Sequence, residues 1–146
     1  MPKSIPEYFF EYKSLPQANI YYCSEKKQLL IQSVAPHITG IEFKEIFTQA
    51  AEAITEHKLT TCIFDKRSLL IFHQPSLFWY YRFWKPQQLR ENGLVDHRKI
   101  MPNDELFRSA VRLSFESLKN KIDTHYLNEI EIRYFENIEE ATAFQN

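Results

Sequence analysis

Glycine is almost missing from this chain: Gly40 and Gly93 are the only two in 146 residues. Phosphate-cradling loops need several glycines so that the backbone can approach an anion, which excludes dinucleotide-binding and P-loop readings. Cysteine is nearly as scarce. Cys23 and Cys62 supply neither a disulfide framework nor a zinc ligand set, and Cys62, inside an apolar run, reads as a small core residue. No stretch reaches about 18 consecutive apolar residues, so no transmembrane segment is expected. The N-terminus lacks the basic, apolar, small-residue order of a signal peptide, and Glu7 and Glu11 interrupt its aromatics, so a cytoplasmic location is expected. Charge of one sign is also lacking. Eighteen Lys and Arg face nineteen Asp and Glu, for a net charge of −1, and no nucleic-acid partner is expected. His37, His57, His73, His97 and His125 show no H-x-H or H-E-x-x-H spacing, and no G-x-S-x-G or paired-carboxylate motif occurs. No metal, cofactor or catalytic residue is therefore assigned.

What is present is an ordinary globular composition, 44% hydrophobic and 25% charged, with an aromatic surplus of 12 Phe, 8 Tyr and 2 Trp. A chain of this length buries about 68–70% of its unfolded surface, enough for one domain with a proper core. Such a surplus of rings goes into a core, an interface or an apolar pocket.

Residues 1–19 carry Pro2, Pro6 and Pro16 around Tyr8-Phe9-Phe10-Glu11-Tyr12 and read as an N-terminal arm or edge strand. Residues 20–146 read as a single domain. Ile20–Cys23 and Leu29–Val34, separated by a polar turn, form a hairpin pattern. Thr39 and Glu42 have capping-box spacing, and Phe43, Ile46, Phe47, Ala50 and Ile54 follow as one apolar stripe ending at His57 and Lys58. Thr60–Asp65 reads as a buried parallel strand. A second helix is expected over Pro75–Leu89, kinked or restarted at Pro86 and stopped by Asn92-Gly93. A weak strand follows over Arg98–Met101, then a helix opened by Pro102-Asn103-Asp104 with Phe107, Ala110, Val111, Ser114 and Leu118 on one face. Tyr126–Phe135 alternates as a half-buried strand, and Asn137 with Glu140 caps a last short helix burying Ile138, Ala141 and Phe144. The expectation is an α/β layered domain, a central mixed and mostly parallel sheet of about five strands with about four helices.

This order of elements resembles the SpoIIAA-like fold of STAS domains and of bacterial STAS-like proteins. The resemblance rests on the helix Ile41–His57 running into T-T-C-I-F-D, on the Trp79/Trp84 helix followed by Gly93 and Arg98-Lys99, on Pro102-Asn103-Asp104, and on the ending E-I-R-Y-F-E-N-I-E-E-A-T-A-F. It covers residues 20–146. Anti-sigma-factor antagonists of that fold switch by phosphorylation of a serine in an Asp-Ser-Ser-Gly-like loop. The matching loop here reads Asp65-Lys66-Arg67-Ser68-Leu69, without the glycine or the serine dipeptide, so a kinase-controlled role is not implied. Relatives of CRAL-TRIO type bind lipids and other apolar ligands.

Two places stand out as candidate sites. Phe78-Trp79-Tyr80-Tyr81-Arg82-Phe83-Trp84 holds six aromatics in seven positions. On a helix these rings point all the way round, so one core-facing stripe cannot absorb them. The helix is then sandwiched inside the domain, or Trp79, Tyr80, Phe83 and Trp84 make a dimer or partner interface, or they line a ligand pocket. The second place follows from the rule that open α/β sheets bind ligands beyond the carboxyl ends of their strands. It selects Asp65, Lys66, Arg67 and Ser68, together with the His37–Thr39 loop and Asn103-Asp104. Lys66 and Arg67 read as solvated, and Arg98 and Lys99 are expected at the opposite, amino end of their strand. Residues 122–146, with six acidic residues against Arg133, read as a solvated acidic face.

The leading functional expectation is a non-enzymatic, STAS-like regulatory or protein-interaction module, homodimeric through the aromatic helix. The alternative is a carrier of a small apolar ligand in a ring-lined pocket. An enzyme pairing Asp65 with His37 is the third and weakest reading.

Overall fold

The computed structural model describes residues 5–71 and 73–145, so Pro2 of the expected arm lies outside the described residues. Six strands form one sheet in chain order: β1 (Phe10–Ser14), β2 (Ala18–Cys23), β3 (Gln28–Ser33), β4 (Thr61–Asp65), β5 (Asp96–Ile100) and β6 (Glu131–Phe135). β1 to β3 pair antiparallel, and β3 to β6 pair parallel. The strand beyond the expected five is β1. The aromatic segment between prolines becomes an edge strand, where missing N–H donors are tolerated.

Four of the helices belong to the parallel crossovers. They are α1 (Gly40–His57), α2 (Gln74–Trp79) running through a π-helical turn (Tyr80–Trp84) into α3 (Lys85–Asn92), and α4 (Glu105–Leu118). Right-handed crossovers between strands added in one direction put every helix on the same face. The main core forms there, where Ile46, Phe47 and Ala50 of α1 meet Ile31, Cys62 and Phe64 of the strands. The other face carries a smaller cluster of Leu30, Ile63 and Ile100 under α5 (Ile138–Ala143).

The helix starts follow their sequence signals. Both halves of the Thr39–Glu42 capping box are made, and the Asp104 carboxylate accepts from the Leu106 and Phe107 N–H groups. Asn137 Oδ1 accepts from Glu140 N at 2.8 Å, and Gly93 takes the left-handed position after α3 at φ 66°.

Three expectations need correction. The strand expected over Arg98–Met101 runs from Asp96 to Ile100, and all five of its residues are buried despite reading D-H-R-K-I. The expected strand Tyr126–Phe135 divides into a 3₁₀ turn at His125–Glu129 and β6. The expected inner face of α4 is only half used. Phe107 and Leu118 are buried, but Ala110 is exposed and Val111 and Ser114 are partly so. α4 leans on α2 instead of lying flat against the sheet. The space left beneath it is the pocket described next.

Candidate functional site

The π turn sets out the inner wall of the site. Lys85 N–H bonds to the Tyr80 carbonyl, five residues back, instead of to Tyr81. The next donor the Tyr81 carbonyl could use belongs to residue 86, a proline without an N–H. The hydroxyl of Tyr126 fills the gap, donating to Tyr81 O at 2.7 Å. Wide turns of this kind recur at functional sites.

The inward stripe of this helix is Leu77, Tyr80, Tyr81, Trp84, Lys85 and Gln88, all buried. Trp84 Nε1 donates to Phe47 O at 2.8 Å, and the Tyr80 ring stacks on Trp84. Trp79 is half-buried, edge-on to Phe43, and Phe83 is 50% exposed. Of the four rings singled out from sequence, then, Tyr80 and Trp84 are interior and only Phe83 stands free.

Lys85 is completely enclosed, and two further lysines approach it. Lys99 comes from β5, where alternation sends His97 and Lys99 to the main-core face and Asp96, Arg98 and Ile100 to the other. Lys66 comes from the loop directly after β4. Lys85 Nζ lies 4.7 Å from the centre of the Tyr80 ring and Lys99 Nζ 4.8 Å, so two amines share one ring. Lys99 is close enough to both Lys66 and Lys85 for the amines to affect one another's protonation. Two ammonium groups are both donors and cannot bond each other, and Lys85 Nζ has no partner among the described residues. No carboxylate among the described residues forms an ion pair with any of the three.

Burial without a counterion favours the neutral amine. It brings the pKa of Lys66 down to about 8 and that of Lys85 to about 7. Lys99 is held well below its ordinary value, by burial first and then by Lys66 and Lys85. His97, also on this face, is held well below its own by burial first and then by Lys85 and Lys99. Cys62, in register with His97, is pushed up to about 12 by burial and stays a thiol, consistent with a core role.

Lys66 and Lys99 form the floor of an open pocket of about 450 Å³ under α4. Tyr81, Met101, Val111, Phe115 and Ile132 supply apolar walls, and Arg108, Arg112 and Glu136 carry charge at its edge. The volume lies in the range of small-molecule sites, about 300–1,000 Å³. Two lysines and two arginines face one carboxylate. A second, smaller apolar cavity of about 40 Å³, lined by Phe43, Phe64, Leu77 and Tyr80, shares Lys66 as a wall.

The pocket lies at the carboxyl edge that the strand-end rule points to, but two side chains are placed otherwise than expected. Lys66 is buried at 7% exposure instead of solvated. Lys99 sits near the carboxyl end of β5 beside it, not at the opposite end of the strand. The remaining loop residues are structural. Asp65 is buried on the face opposite Lys66, and its two oxygens accept from Arg67 Nε and Nη2, both at 2.9 Å. Ser68 Oγ lies 2.8 Å from both Ser33 Oγ and Ala35 O, tying two loops together. His37 is exposed, and Asp65 is committed to Arg67, so the structure shows no pairing between them.

Sequence reasoning missed Lys85, Lys99, Arg108 and Arg112. Searches of protein-family models, of curated proteins and of solved structures found no match to this chain.

Proposed function

We propose that the protein binds a small amphiphilic anion, an apolar body ending in a carboxylate or similar headgroup, in the pocket between α4 and the carboxyl ends of β5 and β6. The observation that carries this reading is the pair of buried amines, Lys66 and Lys99, on the floor of an apolar pocket with no carboxylate of the described residues to pair with them. An incoming anion supplies the counter-charge that a protonated Lys66 lacks, and Arg108 and Arg112 strengthen the field at the mouth. This keeps the idea of a carrier but moves the pocket from Trp79 and Phe83 to the opposite flank of the helix, where Tyr81 provides the ring. Kinship with STAS-like modules rests on the order of elements alone, a leading hairpin followed by β-α-β-α-β-α-β and a closing helix.

The test is a titration with anilinonaphthalene sulfonate, an anionic amphiphile, followed by competition with octanoate and with octanol. Octanoate should compete at least about tenfold better than octanol, as a charge-assisted contact requires. Arg112→Ala and Lys66→Met should each weaken it. Equal competition by the alcohol, or no probe binding, overturns the reading.

A second reading, a non-enzymatic contact module that self-associates or meets a protein partner, is favoured by the outward rings Phe78 and Phe83, 37% and 50% exposed. Native mass spectrometry of the wild type and of Trp79→Ala/Phe83→Ala tests it. A dimer that survives the double substitution removes that interface.

A further inference from the structure

We propose that Lys99 is an amine nucleophile that forms a Schiff base with the keto or aldehyde carbon of an amphiphilic oxo acid held in this pocket. The inference rests on the anion-binding reading above and names the ligand's second functional group. A reactive amine needs a free lone pair, a fixed position and access to the ligand. Lys99 meets all three conditions. It projects from a central strand hydrogen-bonded on both sides to β4 and β6, the most rigid support the fold offers. It lines the 450 Å³ pocket, so a bound molecule reaches it, whereas Lys85 does not. It is also the middle member of the cluster, with an amine on either side and the Tyr80 and Tyr81 rings at 4.8 and 5.5 Å. A lysine desolvated beside other cationic groups is the recognised way to expose an amine lone pair near neutral pH.

The three amines then divide the work. Lys85, enclosed beside Lys99, discourages protonation of Lys99 because a charge on one amine opposes a charge on the other. Lys66 shares the pocket floor with Lys99 and, with a pKa of about 8, is mostly protonated at pH 7. It is the group placed to hold the ligand's carbonyl oxygen and to pass it a proton. In the step itself the Lys99 Nζ lone pair attacks the carbonyl carbon. A C–N bond forms, and the C=O π electrons move onto oxygen, which takes a proton from the Lys66 ammonium. The nitrogen of the resulting carbinolamine loses a proton to the Lys66 amine. The C–O bond breaks, and water leaves with a second proton returned from Lys66. The resulting iminium N–H gives its proton back to the Lys66 amine, so that a neutral C=N bond remains. Amine plus carbonyl becomes imine plus water, with no oxidant or reductant. Arg108 and Arg112 at the edge of the pocket provide for the ligand's carboxylate.

The experiment incubates the whole chain with 2-oxooctanoate, reduces with sodium borohydride and weighs the product. One equivalent should add, with a mass gain equal to the ligand less one oxygen. A tryptic digest should show cleavage lost after Lys99, because a secondary amine blocks the protease. Octanoate, which has the carboxylate and no carbonyl, should prevent the adduct. Lys99→Met should abolish it, and Lys66→Met should slow it by about a hundredfold, the scale of a lost proton donor. If 2-oxooctanoate displaces the dye but leaves no adduct on Lys99, or labels exposed lysines instead, the Schiff-base proposal is overturned and anion binding stands. If it neither displaces the dye nor reacts, both fail. Should Lys99→Met not fold, the position of the blocked cleavage in the wild-type chain decides the matter alone.

Discussion

Replacing Lys85 by methionine tests the physical core of the argument. The two side chains have similar length and volume, so the substitution removes the amine without opening a cavity. Lys85 is fully enclosed, and burial brings its pKa from 10.5 to about 7. A shift of one unit corresponds to about 1.4 kcal/mol, so at pH 7 the native state carries a penalty of about 4 kcal/mol for housing this lysine. The Tyr80 and Tyr81 rings, 4.7 and 5.1 Å from Nζ, return part of that to the charged form. Cation–ring contacts contribute about 1–2 kcal/mol, leaving an expected gain of about 2–3 kcal/mol for Lys85→Met. For a chain of this size that corresponds to a rise in Tm of about 5–10 °C. The pH dependence has a definite sign. Between about pH 7 and 10.5 the unfolded chain holds the Lys85 proton and the native chain does not, so wild-type stability rises with pH across that window. The advantage of methionine should therefore be largest at pH 7 and below and shrink towards zero by pH 10.5. Urea denaturation of both proteins at three pH values measures it. A variant less stable than wild type at pH 7, or a gap that ignores pH, would refute the claim that this amine is buried without a counter-charge.

Three other outcomes are expected. Tyr126→Phe should cost about 1 kcal/mol by leaving the Tyr81 carbonyl without a donor, and Pro86→Ala, which restores a backbone N–H nearby, should reduce that cost in a double-mutant cycle. Octanoate affinity should fall as pH rises through about 8, where Lys66 loses its proton, and a flat profile from pH 6 to 9.5 would remove Lys66 from the site. Asp65→Ala should cost about 1–3 kcal/mol, at the low end because Arg67, 24% exposed, can turn to solvent. Thermal melts and urea denaturation check that value.

The elements whose cues are local were legible in the residues themselves. Thr39 with Glu42, Asp104, Asn137 and Gly93 each begin or end a helix through bonds made within a few positions, so short-range chemistry marked those boundaries. Apolar runs at Leu29–Val34 and Thr60–Asp65 placed the central strands for the same reason. The site was less legible because its residues carry charge where composition suggests solvent. Two signals were nevertheless present. Lys85 and Gln88 fall eight and eleven positions after Leu77, in the stripe that also takes Tyr80, Tyr81 and Trp84, and such a register places them inward. The run D-H-R-K-I precedes a helix in a β-α-β pattern, a position that makes a strand central whatever its charges.

What the amino-acid order determined by itself is the set of elements, their caps and their succession, since these depend on contacts a few residues apart. Only the tertiary structure decided that β5 lies between β4 and β6 and is closed to water, because that requires two partners contributed from more than thirty positions away on either side. Pairing then brings Lys66 and Lys99 to one edge, and the π turn carries Lys85 in beside them. The lean of α4 against α2 leaves the pocket open above their amines. No stretch of sequence contains that cluster; it exists because three separate elements each bury a lysine amine at the same place.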